Sequence, residues 1–217
     1  MTLALYGHPF SSYTWKALIP LYANGTAFEF REVGPDHPQH GAFVQAAHPA
    51  GKFPVLVEGD AAVIEATSIV EHLALHHPGS APLIPTDPAQ AAVVRMLDRV
   101  FDIYVMASMQ RVVNAHIADK DDPDPAEVAA GKEGLLRVYR WLERWLEANA
   151  APPHVSLVTC AAAPSLFYAD WVERIPDDCP RLAALRAELL ALPAVARCVD
   201  DARPYRPWFP PGAPDRD

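Results

Sequence analysis

The chain has 217 residues, about half of them apolar, and a formal charge of −9. That is long enough for one large domain or two small ones around a buried core, and no apolar run reaches the roughly 20 residues of a membrane-spanning helix. The acidic balance gives no reason to expect nucleic acid or an anionic membrane as partner, although a local site for a small anion can oppose the global sign.

The N-terminus, Met-Thr-Leu-Ala-Leu-Tyr-Gly, lacks the basic stretch and long apolar run of a secretion signal, so a cytoplasmic location is expected. Cys160, Cys179 and Cys198 are odd in number and have no paired spacing. They argue against a disulfide framework or a zinc site, and each reads as a small core or helix residue.

Thr2 to Tyr6 reads as a short apolar strand that stops at Gly7-His8-Pro9. After Phe10-Ser11-Ser12-Tyr13, the residues Trp15, Leu18, Ile19, Leu21 and Tyr22 keep helical spacing up to an Asn24-Gly25 stop. Pro20 is expected to bend this helix. Phe28 to Val33 alternates as a second strand, Gly34 to His40 reads as a polar, proline-broken loop, and Ala42 to Ala47 as a short helix. A β-rich run with Pro54 at its mouth then turns through Gly59-Asp60, returns as Ala61 to Ile64, and enters a helix at Glu65-Ala66-Thr67-Ser68. Hydroxyls and unpaired N–H groups at such a helix start suit an anion. Residues 1–78 thus read β-α-β-α-β-β-α, and a breaker-rich linker over 79–86 separates them from an all-helical region over 87–217.

In that second region Asp87-Pro88 is a cap followed by a first-turn proline. Val93, Met96, Leu97, Val100, Phe101, Tyr104 and Val105 hold one helical face, and Asp124-Pro125-Ala126-Glu127 opens another helix like a capping box. Ser156 is placed to cap a further start, with Val155 stapling onto Cys160. The run Ala161 to Trp171 has too few charges for a surface helix and is expected at the centre. Pro180 to Leu190 and Pro193 to Val199 are shorter helices, and Pro204 to Pro210 is a tail that packs by surface contact.

Three stretches together resemble the cytosolic glutathione transferases. Leu5-Tyr6-Gly7-His8-Pro9-Phe10-Ser11-Ser12-Tyr13-Thr14-Trp15-Lys16 is similar to the serine-type, zeta- and theta-like start. His48-Pro49-Ala50-Gly51-Lys52-Phe53-Pro54-Val55-Leu56 is close to the family's Asn-Pro-x-Gly-Lys-Val-Pro-Val-Leu, and Ile64-Glu65-Ala66-Thr67-Ser68-Ile69-Val70-Glu71-His72-Leu73 to its Glu-Ser-x-Ala-Ile-x-x-Tyr-Leu. The resemblance implies an α/β thioredoxin-like N-terminal domain followed by an all-α C-terminal domain, and a homodimer. It implies glutathione as co-substrate, a small hydrophobic electrophile or a peroxide as second substrate, and no metal. It further implies a cis Phe53–Pro54 bond, a Val55 backbone paired with the cysteinyl unit, and the γ-glutamyl carboxylate at Glu65, Ala66 and Thr67. The hydroxyl facing the sulfur falls at Ser11, with Ser12 and Tyr13 as further candidates. Gln39, His40 and Lys52 are in reach of the glycyl carboxylate, and Tyr104, Ser108 and Arg111 border the second-substrate pocket in this reading.

The bland alternatives stand beside these. Ser11 and Ser12 are natural helix caps, Lys52 suits a solvated loop, and Tyr104, Ser108 and Arg111 suit a core or dimer contact. Ala66 replaces a serine; losing one hydrogen bond to a charged group, worth about 1.5–3 kcal/mol, weakens glutathione about ten- to a hundredfold unless Thr67 or a water substitutes. Tyr13 stands where zeta-like members carry cysteine, so their isomerase activity is not carried over. His72 and His76 sit four apart on a helix, but without a His-Glu-x-x-His motif they read as a solvated face.

Overall fold

The computed structural model describes residues 3–150 and 154–217; Thr2, expected in the first strand, lies outside them. Strand β1 (Leu3–Gly7), helix α1 (Ser12–Ala23), β2 (Phe28–Glu32), α2 (Pro38–Ala47), β3 (Val55–Glu58), β4 (Ala61–Ile64) and α3 (Ala66–His76) make the first part. The sheet order is β2-β1-β3-β4, with β1 parallel to β2 and antiparallel to β3, and β3 antiparallel to β4.

Strand β1 is buried throughout, and its alternation sorts its side chains between two layers. Leu3 and Leu5 join a large core with Trp15, Leu18, Ile69 and Leu73 of α1 and α3, whereas Ala4 and Tyr6 meet Val44 and Val55 on the α2 side. Helix α1 runs unbroken through Pro20. Helix α2 begins four residues earlier than expected, because Pro38 is its first-turn residue instead of a breaker; Gln39 and His40 are therefore helical.

The second part contains α4 (Pro88–Val100), a π-helical segment (Phe101–Met106), α5 (Ala107–Ala118), α6 (Pro125–Ala148), α7 (Leu157–Val172), α8 (Pro180–Leu190), α9 (Pro193–Ala202) and a 3₁₀ segment (Arg203–Trp208). All sixteen residues of α7 are buried, as its lack of charge predicts. Ser156 caps it by accepting from the Thr159 N–H, and Val155 and Cys160 share the core. Asp124 caps α6, but Glu127 does not close the box: it forms a bidentate pair with Arg111 instead. The three cysteines are buried and unpaired. The tail packs inward through Phe209, and Tyr205 donates to Glu32 of β2.

Two kinds of contact join the parts. Trp15 of α1, fully buried, lies 4.9 and 5.4 Å from the rings of Phe167 and Tyr168 on α7. Beside it, the buried Lys16 ammonium sits 2.5 Å from Asp98 and 2.7 Å from Asp102 and donates to Thr67 at 2.9 Å. Arg99 closes the group, bonding Asp98, Asp102 and Thr67. Two cations and two carboxylates cancel, which is the condition for burying charge without a large desolvation cost.

Candidate functional site

A cleft of about 260 Å³ opens where α1, the β3 entry, the α3 start and α4 meet. That is near the lower bound for small-molecule sites. Its lining includes Tyr13, His48, Lys52, Phe53, Pro54, Glu65, Ala66, Arg99, Asp102 and the edge residue Ile103. Larger hollows on the helical region lack the backbone features described next.

The Phe53–Pro54 bond is cis, as the resemblance implies. Val55, however, is fully buried in a central strand with Tyr6 and Ile64 as partners on its two sides. The backbone that lies outside that ladder, next to the cis bond, is that of Phe53.

Glu65, immediately before α3, has φ 66 and ψ 120. It is the one non-glycine residue with positive φ among those described, a conformation that costs on the order of 1–3 kcal/mol. No side chain caps α3, so its first N–H groups are left beside the cleft with the positive end of the helix dipole. The buried ring of His48 supports Glu65 from below. Its Nδ1 accepts from the Ala50 N–H at 3.0 Å, which leaves the neutral ring's proton on Nε2, 3.3 Å from the Glu65 carboxylate.

Ala66 lines the cleft with a methyl group, and Thr67 does not replace the missing hydroxyl. Its Oγ1 is held by Lys16, Arg99 and Asp98. Arg99, which sequence reading did not single out, stands in the cleft instead. Its hydrogen bonds run through Nε and Nη2, so Nη1 is uncommitted among the described residues. Burial lifts the Asp102 carboxyl above the usual aspartate range despite the pull of Lys16.

Of the three hydroxyl candidates, Tyr13 reaches the cleft. Burial, reinforced by Asp102, pushes its phenol up to about 12, so at neutral pH it is a proton donor. Ser11 is the α1 cap, accepting from the Thr14 N–H at 3.3 Å, and Ser12 opens the helix; neither lines the cleft.

Lys52 is exposed at the rim. Gln39 is exposed on α2, and His40 is tied by Nδ1 to the Glu32 carbonyl at 2.7 Å; neither is among the lining residues. Tyr104, Ser108 and Arg111 are not brought there either. Tyr104 and Ser108 line an outer groove with Met96 and Trp141, while Arg111 is paired with Glu127 farther along α5. Ser108 donates to the Tyr104 carbonyl and lies so close to α6 that a Cβ on Gly134 would approach its Oγ to 2.5 Å. The π-helical segment is the physical reason for the misplacement. It alters the turn between α4 and α5, so a 3.6-residue projection carried through it points the wrong residues at the cleft and overlooks Asp102 and Ile103.

Residues 5–81 match the model of the glutathione S-transferase N-terminal domain. Over that stretch the chain is similar to the N-terminal domain of the glutathione S-transferases. Over 213 residues it is 26% identical to a probable maleylacetoacetate isomerase of Vibrio cholerae, spanning 94% of this chain and 98% of that protein. Glutathione transferase F7 of Populus trichocarpa superposes with a TM-score of 0.80 at 22% identity, over 93% of this chain and 99% of its own. Maleylacetoacetate isomerase of Anaeromyxobacter dehalogenans, solved with glutathione in its active site, gives 0.75 at 24% identity over 94% and 97%. At these identities the solved structures establish the fold alone: a thioredoxin-like domain followed by a helical region.

Proposed function

We propose that the protein is a glutathione transferase that binds glutathione in the Pro54–Glu65 cleft. The observation that carries the reading is the uncapped α3 start behind a strained Glu65, facing cis-Pro54 and the hydroxyl-bearing α1 start across one small cleft. The γ-glutamyl carboxylate meets the Ala66 and Thr67 N–H groups and the free edge of Arg99, and Asp102 takes the ammonium. The Phe53 backbone pairs with the cysteinyl unit, and Lys52 meets the glycyl carboxylate.

A free thiol with a pKa of about 8.5 is only a few per cent thiolate at neutral pH. A protonated Tyr13 and the positive end of α1 stabilise the sulfur anion; Ser11 or Ser12 serves only by donating its hydroxyl proton. The thiolate attacks an apolar electrophile or a peroxide held against Ile103. The three cysteines play no part: burial pushes all three thiols up, that of Cys179 to about 11. The isomerase activity named for relatives is not carried over, because Tyr13 occupies the position where zeta-like members carry cysteine.

The location is cytoplasmic and the assembly a homodimer, in which a second copy covers the exposed apolar strip of Val93, Met96, Tyr104 and Trp141. A second reading, a transferase-like binding protein without efficient chemistry, is favoured by Ala66 and by the capping role of Ser11. Isothermal titration with glutathione tests the first reading: saturable heat is expected, and none at millimolar ligand removes it. Thiolate absorbance of the bound tripeptide then separates the two readings.

A further inference from the structure

We infer that Glu58, His72 and His77 form a binding site for a divalent transition-metal ion of the zinc type, separate from the glutathione cleft. Glu58 ends β3 just before the hairpin, His72 lies one turn before the end of α3, and His77 is its C-cap. His72 Nε2 lies 2.8 Å from Glu58 Oε2, and His77 Nε2 lies 3.0 Å from Glu58 Oε1. The three donor atoms all fall within 4.8 Å of one another.

Two imidazoles and one carboxylate are the donor set of an open zinc site, with one position left for water. His72 and His77 lie 2.8 and 3.0 Å from the carboxylate; tetrahedral bonds of about 2.1 Å place donors about 3.4 Å apart, so the carboxylate draws back by about half an ångström to admit an ion. The scaffold is already ordered. Glu58 is in register with Leu3 of β1 and Ala61 of β4, and the His77 N–H donates to the Leu73 carbonyl. Among the described residues the ion-pair partners of Glu58 are these two histidines, and no lysine or arginine competes for it. Side chains 19–25% exposed leave a path for the ion.

The pair that helical spacing suggests, His72 and His76, is thus not the one assembled. The ring of His76 lies 4.5 Å from that of His72, but His76 remains exposed and stands outside the triad. The site and the cleft occupy opposite ends of α3. Bound metal therefore clips the C-terminal half of α3 to the β3–β4 hairpin and leaves the transferase chemistry alone.

The test is calorimetric titration of zinc into the metal-stripped, untagged full chain. One ion per chain is expected. Glu58→Gln and His77→Gln should each weaken it at least about tenfold, the scale on which even outer-shell losses are felt. His37→Gln, an exposed histidine elsewhere, should leave it unchanged. Cobalt in place of zinc should show intense tetrahedral absorption bands that Glu58→Gln abolishes. Far-ultraviolet circular dichroism and an unchanged glutathione titration would show that the variants remain folded. The inference is overturned if the wild type takes up no stoichiometric zinc, if binding survives both substitutions, or if His37→Gln weakens it equally.

Discussion

Helices α1 and α3 begin on either side of the same cleft and treat the same physical problem in opposite ways. Each start presents unpaired N–H groups and the positive end of a dipole. At α1 the chain supplies its own acceptor, Ser11, in ordinary extended backbone geometry. At α3 it supplies none and places Glu65 in a strained conformation instead. A satisfied start adds stability, whereas an open and strained one gives up stability and keeps its donors for something else. The contrast separates the fold's anchor from its proposed ligand site.

The largest effect is expected beneath both helices. Lys16→Met leaves Asp98 and Asp102 buried without their cation, which should cost about 3–5 kcal/mol in urea unfolding. A loss below about 1 kcal/mol would mean the carboxylates find water or Arg99 alone suffices.

Next are the cleft donors. Arg99→Ala should weaken glutathione about ten- to a hundredfold by calorimetry, the worth of one hydrogen bond to a charged group. Ala66→Ser, which restores a hydroxyl at the α3 start, should strengthen it by about tenfold or more. An unchanged affinity in both would move the carboxylate elsewhere.

Glu65→Gly should split stability from binding. Relief of the positive φ should raise unfolding stability by about 1 kcal/mol while glutathione affinity falls. If both fall together, Glu65 is a structural residue and the comparison between the two starts loses its meaning.

The smallest effect belongs to α1. Ser11→Ala should cost about 1 kcal/mol through the lost cap. Thiolate absorbance of bound glutathione should survive it and be lost in Tyr13→Phe. The reverse pattern would return the sulfur contact to Ser11.

The strand and helix order, the cap at Ser156, the buried α7 and the presence of Pro54 and Glu65 in one loop–helix unit were all determined by the sequence. Each depends on residues near one another in the chain: periodicity, a cap three positions from its N–H, a proline at a strand mouth. What the sequence could not supply was the second wall of the cleft. Arg99 and Asp102 carry no signal in the sequence until folding sets Asp102 against Lys16, 86 positions away, and Arg99 against Thr67, 32 positions away. The resemblance puts Tyr104 and Ser108 at the second-substrate pocket on one face of a regular helix, and the π-helical segment breaks that regularity. His72 paired on paper with His76 at helical spacing, yet Glu58 from the neighbouring strand selected His77. Local energetics decide which elements form; which charges meet is decided only when distant elements pack, because Coulomb and hydrogen-bond terms depend on distances that chain position does not contain.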